Sequence, residues 1–416
     1  MQGLGVACGL AAGVWLGGAE APTKLVNIGI SPFAVSLAMV VGVFAARWTV
    51  PTLLKGTSFV FRDLFSRSHL IVWAVLAGAL WAVANTLTVF AIRDVGLAIA
   101  FPLWNANSLI GIFWGWLLFR EMRGAGLLVG SRMLGGALGI VAGAILLALV
   151  SFQHPIAADG RTMHGILAAL GASLLWGTMY VPYRKAYLSG MNPLSFVTVF
   201  TLGELVTMAL LAATFGGGIP QLHAELSAAR HVVFWILLGG FCWVIGDIFQ
   251  HYATKYIGIG RGIPLSNTNQ LWGLAWSALV FGELTHVSAA GRWLVVAGSV
   301  LMIIGAVFIS SAAAPAREQA SRREAISREC QRYGLSLEEC VAAQAGAMLR
   351  DDARSGRRWW DVLIVAVALA PFVWFGFQVQ APPLAMNVAW TSVLAVLLVF
   401  AAIGCGWLLW KRTRFN

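Results

Sequence analysis

Long apolar runs constrain this chain more than any other feature of its sequence. An α-helix that crosses a bilayer needs about 20 consecutive apolar residues, and runs of that length recur along the whole chain. Ten runs precede a polar break, at 3–21, 28–48, 70–92, 95–119, 133–151, 163–183, 193–216, 232–254, 258–282 and 292–311, and two follow it, near 360–378 and 386–410. The sequence therefore predicts an all-α integral membrane protein, with a ten-helix bundle and two extra C-terminal transmembrane helices.

The composition excludes several classes of protein. Hydrophobic residues make up 59% of the chain and charged residues 11%, whereas soluble domains have about 45–50% and about 25%. A disordered chain, a collagen and a disulfide-stapled secreted domain do not have this composition. The sequence also contains no HExxH, GxSxG or P-loop motif. We therefore predict that the protein is not an enzyme, with no catalytic residues, cofactor or metal site.

The net charge of +11 is best explained by membrane topology. Most Lys and Arg residues lie at the ends of apolar runs or between them, where an excess of positive charge marks the cytoplasmic side. With the N-terminus in the cytoplasm, residues such as Arg47, Arg184 and Lys255 face inward. Only Lys24, Arg93, Arg161, Arg230 and Arg292 then face outward. We predict a multi-pass protein of the plasma (inner) membrane, with both termini cytoplasmic and no nucleic-acid partner.

An internal repeat divides the chain. A shift of 162 positions pairs identical or similar residues over two long stretches, including Gly78 with Gly240, Trp81 with Trp243, Asn85 with Asp247, Asn105 with Asn267 and Asn107 with Asn269. The repeat predicts a first five-helix unit at 1–151 and a second at 162–311. A polar segment at 312–358 and two further helices with a basic tail at 359–416 follow. Because five is odd, the second copy is inverted in the membrane, which is typical of transporters with a site between the two halves.

Two matching stretches carry a resemblance to a known family. They are DVGLAIAFPLWNANSLIG at 94–111 and YIGIGRGIPLSNTNQLWG at 256–273. The five-plus-five pattern resembles the drug/metabolite transporter superfamily, and these stretches look like its glucose/ribose porters and rhamnose–proton symporters. The resemblance covers about residues 3–311 and implies the transport of a small solute. The segment 312–416 has no counterpart in that pattern.

Three ionisable residues inside apolar runs are candidates for proton coupling. Glu204 lies near the centre of the seventh run, and Asp247 lies in the eighth. His251 follows Asp247 by four positions, so the two share one face of a helix. Because ionisable groups in a bilayer core are costly, they are usually functional. We expect Asp247 to carry a proton, and His251 and Glu204 to tune or relay it. The alternative is that Asp247 only hydrogen-bonds another helix.

Uncharged polar side chains in the fourth and ninth runs are candidates for substrate binding. Pro102 and Pro264 interrupt helical hydrogen bonding there, and broken helices with free backbone groups line binding sites in transporters. Amide side chains offer the donors and acceptors that a hydroxyl-rich ligand needs. The alternative is that they join helices to one another. The predicted substrate-binding residues are Asn85, Trp104, Asn105, Asn107, Trp176, Asn267, Asn269 and Gln270.

The polar segment 312–358 contains a helix-start pattern. Ser336 and Glu339 fit a capping box, which predicts a helix beginning at this point. We expect the segment to be a solvated linker to the last two spans, and a short cytoplasmic helical insertion is the alternative.

These observations predict a secondary transporter. We expect it to move a small neutral solute, a monosaccharide or polyol, by alternating access with proton coupling. Its partners are then the solute, protons and the lipid bilayer. Whether the protein forms a homodimer is left undecided by the sequence. Two alternatives remain: an exporter of amino acids or organic cations from the same superfamily, and a non-transporting membrane receptor or scaffold.

Overall fold

A computed structural model describes residues 1–19, 21–22, 30–95, 100, 103–121, 126–151, 161–282, 288–312, 316–345, 357–380 and 386–416. These residues form helices and no strands. The first half contains α1 (Gln2–Gly18), α2 (Pro32–Lys55), α3 (Thr57–Ser66), α4 (Ile71–Val95), α5 (Asn107–Phe119) and α6 (Leu127–Ser151). The second half contains α7 (Arg161–Leu188), α8 (Pro193–Phe215), α9 (Gly218–Ala228), α10 (Arg230–Ile257), α11 (Ile259–Ser266), α12 (Asn269–Ala275) and α13 (Ala289–Ser311). After it come α14 (Ala316–Arg332), α15 (Leu337–Gln344), α16 (Trp359–Gly376) and α17 (Val388–Thr413).

The all-α membrane fold predicted from the sequence is confirmed. In the described part of the chain, nine helices are long and apolar enough to cross a membrane. The other three predicted spans are shorter or broken. The first is the 17-residue helix α1, and the fourth contains the 13-residue helix α5. The ninth consists of α11, α12 and a π-helical stretch, Trp276–Val280.

Local sequence explains where two of the central helices begin. Ser31 precedes α2 and Asn192 precedes α8, and each side chain accepts a hydrogen bond from a backbone N–H of the first turn. A proline follows each cap, and its fixed φ suits the first position of a helix. The two helices are 161 positions apart at their starts, at Pro32 and Pro193. The same start signal therefore occurs in both halves.

Glycines allow the central helices to cross with their backbones in contact. A Cβ atom at Gly42 of α2 would meet the main chain of α10, and one at Gly240 of α10 would meet the main chain of α2. Gly78 of α4 and Gly203 of α8 make a second crossing of the same kind. Gly42 and Gly203 are 161 positions apart, and Gly78 and Gly240 are 162 apart. The repeat shift therefore exchanges the two crossings.

The outer pair of helices, α6 and α13, pack in a similar way. Gly136 and Gly305 approach each other so closely that a Cβ on either would lie 2.7 or 2.5 Å from the carbonyl oxygen of the other. Further along, a Cβ at Gly143 would lie 2.6 Å from the carbonyl oxygen of Gly298. The shift of 162 converts Gly136 into Gly298 and Gly143 into Gly305. Both contacts are thus also exchanged by the repeat.

Residues 316–345, which we call the strap, lie across one end of the bundle. The helix start predicted at Ser336 is confirmed, because Ser336 caps α15. Ala325, Ile326, Cys330 and Cys340 are buried, so these two helices pack against their surroundings and do not form a solvated linker. Two parts of the predicted segment, 313–315 and 346–356, lie outside the described residues.

The two additional helices pack on different sides of the bundle. Asp361 of α16 accepts hydrogen bonds from the N–H and hydroxyl of Thr57, at 3.0 and 2.5 Å, which ties α16 to the start of α3. On α17, Cys405 lies with its sulfur 3.6 Å from that of Cys8 in α1. The predicted extra spans therefore contact the core helices directly.

Candidate functional site

A buried ion pair joins α2 to α10. The Arg47 guanidinium contacts the carboxylate of Asp247, and both side chains are fully buried. One turn further along α10, Nε2 of His251 lies 2.9 Å from the same carboxylate. The predicted Asp247–His251 pair is therefore in contact. Arg47 belongs to this cluster as well, and it is not at a water-facing helix end, where the sequence placed it.

Aromatic rings enclose the ion pair. The ring of Tyr183 stacks on His251 with 4.3 Å between centroids, and the Tyr187 hydroxyl hydrogen-bonds Nδ1 of His251. On the other side, the Arg47 guanidinium lies 5.2 Å from the centre of the Phe200 ring, a favourable cation–π geometry. Rings that keep water away strengthen every electrostatic interaction within the cluster. The charge on Asp247 is therefore firmly coupled to Arg47 and His251.

Glu204 differs from Asp247 in its surroundings. It lies at the middle of α8, fully buried, next to the crossing with α4 at Gly78. Neither of its carboxylate oxygens has a hydrogen-bond partner among the described residues. A buried carboxylate without a partner is far less costly with its proton than without it, so Glu204 is suited to bind and release a proton.

The predicted amide cluster meets at two helix interruptions. In the second half, α11 ends at Ser266 and α12 begins at Asn269; in the first half, a turn at Ala106 precedes α5. The Asn267 side chain donates from Nδ2 to Oδ1 of Asn107 at 2.8 Å and to the Ser108 hydroxyl at 2.6 Å, and it lies 3.3 Å from the carbonyl oxygen of Asn105. These residues thus join the two interruptions to each other. Pro264 lies inside α11, whereas Pro102 is outside the described residues.

Other predicted amides keep unused hydrogen-bonding capacity. Nδ2 of Asn85, Oδ1 of Asn269 and Nε2 of Gln270 are buried and have no hydrogen-bond partner in the described part of the chain. The same holds for Nε1 of Trp176, whose ring meets that of Trp104 edge to face at 5.9 Å. Buried polar atoms are normally satisfied, so these groups are candidates for contacts with a ligand. They are uncharged donors and acceptors, as a hydroxylated neutral ligand would need.

A second buried ion pair stabilises the start of α11. Glu121 accepts hydrogen bonds from the backbone N–H groups of Ile259 and Gly260, at 3.2 and 3.0 Å. Its carboxylate also lies 3.0 Å from Nε of Arg184, and Nη1 of the same arginine donates to the carbonyl oxygen of Thr254 at 3.1 Å. Together Glu121 and Arg184 satisfy the end of α10 and the start of α11. This pair is structural and lies apart from the Arg47 cluster.

Sequence reasoning missed Arg47 and Tyr187 as members of the site. Arg47 stands inside an apolar run, in the stretch VFAARWTVP, and a charge in that setting is itself a signal of function. Tyr187 carried no comparable signal, because tyrosines at helix ends commonly anchor a protein at the membrane interface. In the described part of the chain, no group of three His, Cys, Asp or Glu side chains is placed to hold a metal ion.

Comparisons with known proteins find similarity to a transporter family and to proteins named for sugar uptake. A family model described as the EamA-like transporter family matches residues 163–311. A protein of Streptococcus pyogenes serotype M1, named for sugar uptake, is 27% identical over 250 residues, covering 58% of this chain and 79% of its own length. A “Putative sugar uptake protein” of Lactiplantibacillus plantarum is 25% identical over 252 residues, covering 57% and 77%. “Transmembrane protein 144 homolog B” of Dictyostelium discoideum is 33% identical over 103 residues, covering 24% of each chain.

Proposed function

We propose that this chain, whose residues 163–311 match the EamA-like transporter family, is a transporter of the drug/metabolite superfamily that takes up a small neutral solute together with protons. The solute is a monosaccharide or polyol, and uptake proceeds by alternating access. The two bacterial relatives are named for sugar uptake, which supports this choice of substrate class. The plasma membrane and cytoplasmic termini predicted from the sequence complete the proposal.

The single observation that carries the proposal is the buried cluster of ionisable groups between the two halves. Each charge at the centre of a membrane costs at least about 2.5–3.5 kcal/mol, so a protein retains such groups for a purpose. Glu204 binds and releases the transported proton. Asp247, held by Arg47 and His251, responds electrostatically to the change in the charge of Glu204. This division reverses the roles expected from the sequence, where Asp247 was the proton carrier.

The helix crossings support alternating access. A transporter with two inverted copies can exchange two packings around one site, because each copy can adopt the conformation of the other. The crossings at Gly42–Gly240 and Gly78–Gly203 are exchanged by the repeat shift and bring backbone against backbone. Smooth crossings of this kind let helices slide without forcing large side chains past one another. Glu204 lies beside one of them, so a change in its charge acts where the halves meet.

The amide residues bind the solute in this proposal. Asn85, Asn269 and Gln270 supply unused donors and acceptors, and the rings of Trp104 and Trp176 face the apolar side of a sugar. Asn105, Asn107 and Asn267 hold the two helix interruptions together and so shape the site. Replacing Asn269 by Ala should then raise KM for the solute and leave proton leak unchanged.

The experiment that tests this function uses purified protein in proteoliposomes with a pH-sensitive dye inside. A panel of neutral sugars and polyols is added under a proton gradient, followed by amino acids and organic cations. We expect one sugar or polyol to acidify the lumen in the wild type. Glu204→Gln should bind that solute but abolish the acidification. Glu338→Gln, which changes an exposed carboxylate on α15, is the matched control and should behave as the wild type.

Other outcomes would contradict the proposal in distinct ways. A response only to amino acids or organic cations would favour an exporter, in which Glu204 is a counter-charge for the substrate. No transport of any solute by well-folded protein would favour a receptor or scaffold. Acidification that persists in Glu204→Gln would remove the role of Glu204 and leave the sugar transport intact.

A further inference from the structure

The two central helix crossings each continue into a pair of facing positions. Beyond the crossing of α2 with α10, Arg47 and Asp247 stand five and seven positions after the glycines of their helices. Beyond the crossing of α8 with α4, Met208 and Asn85 also stand five and seven positions after theirs. The repeat shifts of 161 and 162 positions convert Arg47 into Met208 and Asn85 into Asp247. The ion pair and the pair Met208–Asn85 therefore occupy equivalent places in the two halves.

These two places lie toward opposite ends of the bundle. Arg322 of the strap donates to the penultimate carbonyl oxygen of α10 at 2.9 Å, so Asp247 lies between its crossing and the strap. Near the start of α4, Nε1 of Trp73 donates to the hydroxyl of Tyr333 in the strap at 3.1 Å. The helix α4 therefore runs away from the strap, and Asn85 lies between its crossing and the opposite end.

The two places differ in their chemistry. On the strap side, Arg47 and Asp247 carry opposite charges, and both are fully buried. On the other side, Met208 is fully buried as well, and its sulfur accepts a hydrogen bond from the hydroxyl of Thr86, the neighbour of Asn85, at 3.3 Å. Separating the groups on that side leaves no charge without a partner. The helices of the two halves thus meet through a charged contact toward the strap and an uncharged contact toward the opposite end.

We propose that Arg47 and Asp247 form a charged gate on the strap side of the bundle, and that Met208 and Asn85 form an uncharged gate on the opposite side. This inference rests on the alternating access of the proposed function, in which each side opens in turn. A guanidinium keeps its charge in proteins, and a buried charge without its partner is strongly destabilising. With the strap side closed, Arg47 therefore needs Asp247. With that side open, water hydrates Arg47, so loss of Asp247 alone favours the open state.

Reporter cysteines on the gate helices test the proposal in purified full-length protein, without a solute or a proton gradient. Thr254→Cys stands seven positions beyond Asp247 toward the strap, and Thr88→Cys stands three positions beyond Asn85 toward the opposite end. Both threonines are buried, and these spacings place each on the same helical face as its gate residue. A charged methanethiosulfonate reagent modifies a thiol that water reaches. Mass spectrometry of the peptides then measures the labelling rate at each reporter.

The charged gate predicts a one-sided response. Asp247→Asn should raise the labelling rate at Thr254→Cys by about tenfold or more, and the rate at Thr88→Cys should stay within about twofold of its value without the substitution. Arg47→Met/Asp247→Asn copies the uncharged pair of the other half and should return the strap-side rate to its original value. Glu338→Gln, at an exposed carboxylate of the strap, is the control and should change neither rate.

The equivalent place on the other side provides the mirror experiment. Met208→Arg puts a permanent charge there without a partner, and it should raise the labelling rate at Thr88→Cys and not at Thr254→Cys. Adding Asn85→Asp supplies the partner, so Met208→Arg/Asn85→Asp should lower the rate again. This arm tests the same electrostatic argument in a protein that keeps its own ion pair.

Three results would overturn the charged gate. An unchanged rate at Thr254→Cys in the Asp247→Asn variant would show that the pair does not hold this side closed. Equal increases at both reporters would show that the pair stabilises the whole bundle. A strap side that stays open in Arg47→Met/Asp247→Asn would show that the unpaired charge is not the cause. One-sided labelling in a protein that transports no sugar would retain the gate and remove the proposed substrate, whereas sugar transport with equal labelling would do the reverse.

Discussion

At the scale of single residues, Asp247 and Glu204 differ in how much folding free energy their replacement costs. Asp247 is compensated by Arg47 and His251, whereas Glu204 has no hydrogen-bond partner among the described residues. Removing one member of a buried ion pair leaves the other charge uncompensated, which costs about 3–5 kcal/mol. Replacing a carboxyl group that has no hydrogen-bond partner breaks no such contact and costs little. Replacing each residue by its isosteric amide, Asp247→Asn or Glu204→Gln, therefore distinguishes a structural role from a proton-binding role.

The first prediction follows from this contrast. Asp247→Asn should lower the free energy of unfolding by about 3–5 kcal/mol, because the Arg47 charge stays buried and unpaired. The double variant Arg47→Gln/Asp247→Asn should recover a large part of that loss. Glu204→Gln should melt close to the wild type. Thermal melting of the purified protein in detergent measures all four, and equal melting temperatures for Asp247→Asn and the double variant would show that the pair is not coupled.

At the scale of helices, close packing depends on individual glycines. A Cβ at Gly136 would lie 2.7 Å from the carbonyl oxygen of Gly305 and equally close to the side chain of Ile309, whereas a Cβ at the neighbouring Gly135 would meet nothing within 4 Å. The two positions are adjacent in α6 and differ only in the face they present. They therefore separate the cost of a clash from the change in helix propensity.

The second prediction uses these neighbours as a matched pair. Gly136→Ala should destabilise the protein by about 1–3 kcal/mol, because α6 and α13 must move apart. Gly135→Ala should be neutral or stabilising by up to about 1 kcal/mol, since alanine favours a helix. Melting temperatures of the two variants measure the difference. Equal destabilisation by both would mean that α6 and α13 do not touch at Gly136.

A third prediction concerns the contact between α9 and the start of α2. Burial raises the pKa of the Glu225 carboxyl, but hydrogen bonds from the Ser31 hydroxyl, Gln221 and the Ser31 N–H outweigh it and hold the pKa below 4.5. A carboxyl whose pKa is lower in the folded protein contributes stability above its unfolded pKa, and that stability is lost as the pH falls through the folded value. Glu225→Gln should therefore lower the melting temperature slightly at pH 7 and not near pH 3. A difference that grows on acidification would contradict this assignment, and Glu338→Gln, at an exposed carboxyl of α15, is the control.

At the scale of the whole molecule, the sequence predicted what depends on local pattern. Apolar length located the spans, Pro264 marked a broken helix, and Ser336 marked the start of α15. Pairings between distant residues could not be predicted in the same way. Arg47 and Asp247 are 200 positions apart, so the arginine in an apolar run signalled function without revealing its partner. Likewise, the polar character of 312–358 did not reveal which helix ends the strap would cover.

The last residues of the chain show how far such long-range contacts extend. Phe415 and Asn416 are buried at the same end of the bundle as the strap. The carbonyl oxygen of Phe415 accepts hydrogen bonds from Asn192 and Tyr252, each at 2.8 Å, and a main-chain oxygen of Asn416 accepts one from Tyr256 at 2.9 Å. These residues therefore tie together α10, the start of α8 and the end of α17.

A protein that stops at Thr413 should consequently be less stable, by about 2–4 kcal/mol, since a net hydrogen bond contributes about 0.5–1.5 kcal/mol and the buried donors left behind add to the loss. The helix α17 itself stays complete in this variant. Tyr252→Phe/Tyr256→Phe in the full chain removes two of the four side-chain donors, which are Asn192, Tyr252, Tyr256 and Lys55. It should cost about half as much, because no buried hydroxyl is left unpaired. Melting of both variants beside the wild type measures the two losses. If truncation left the melting temperature unchanged, the residues after Thr413 would contribute nothing to holding α10 and the start of α8 together.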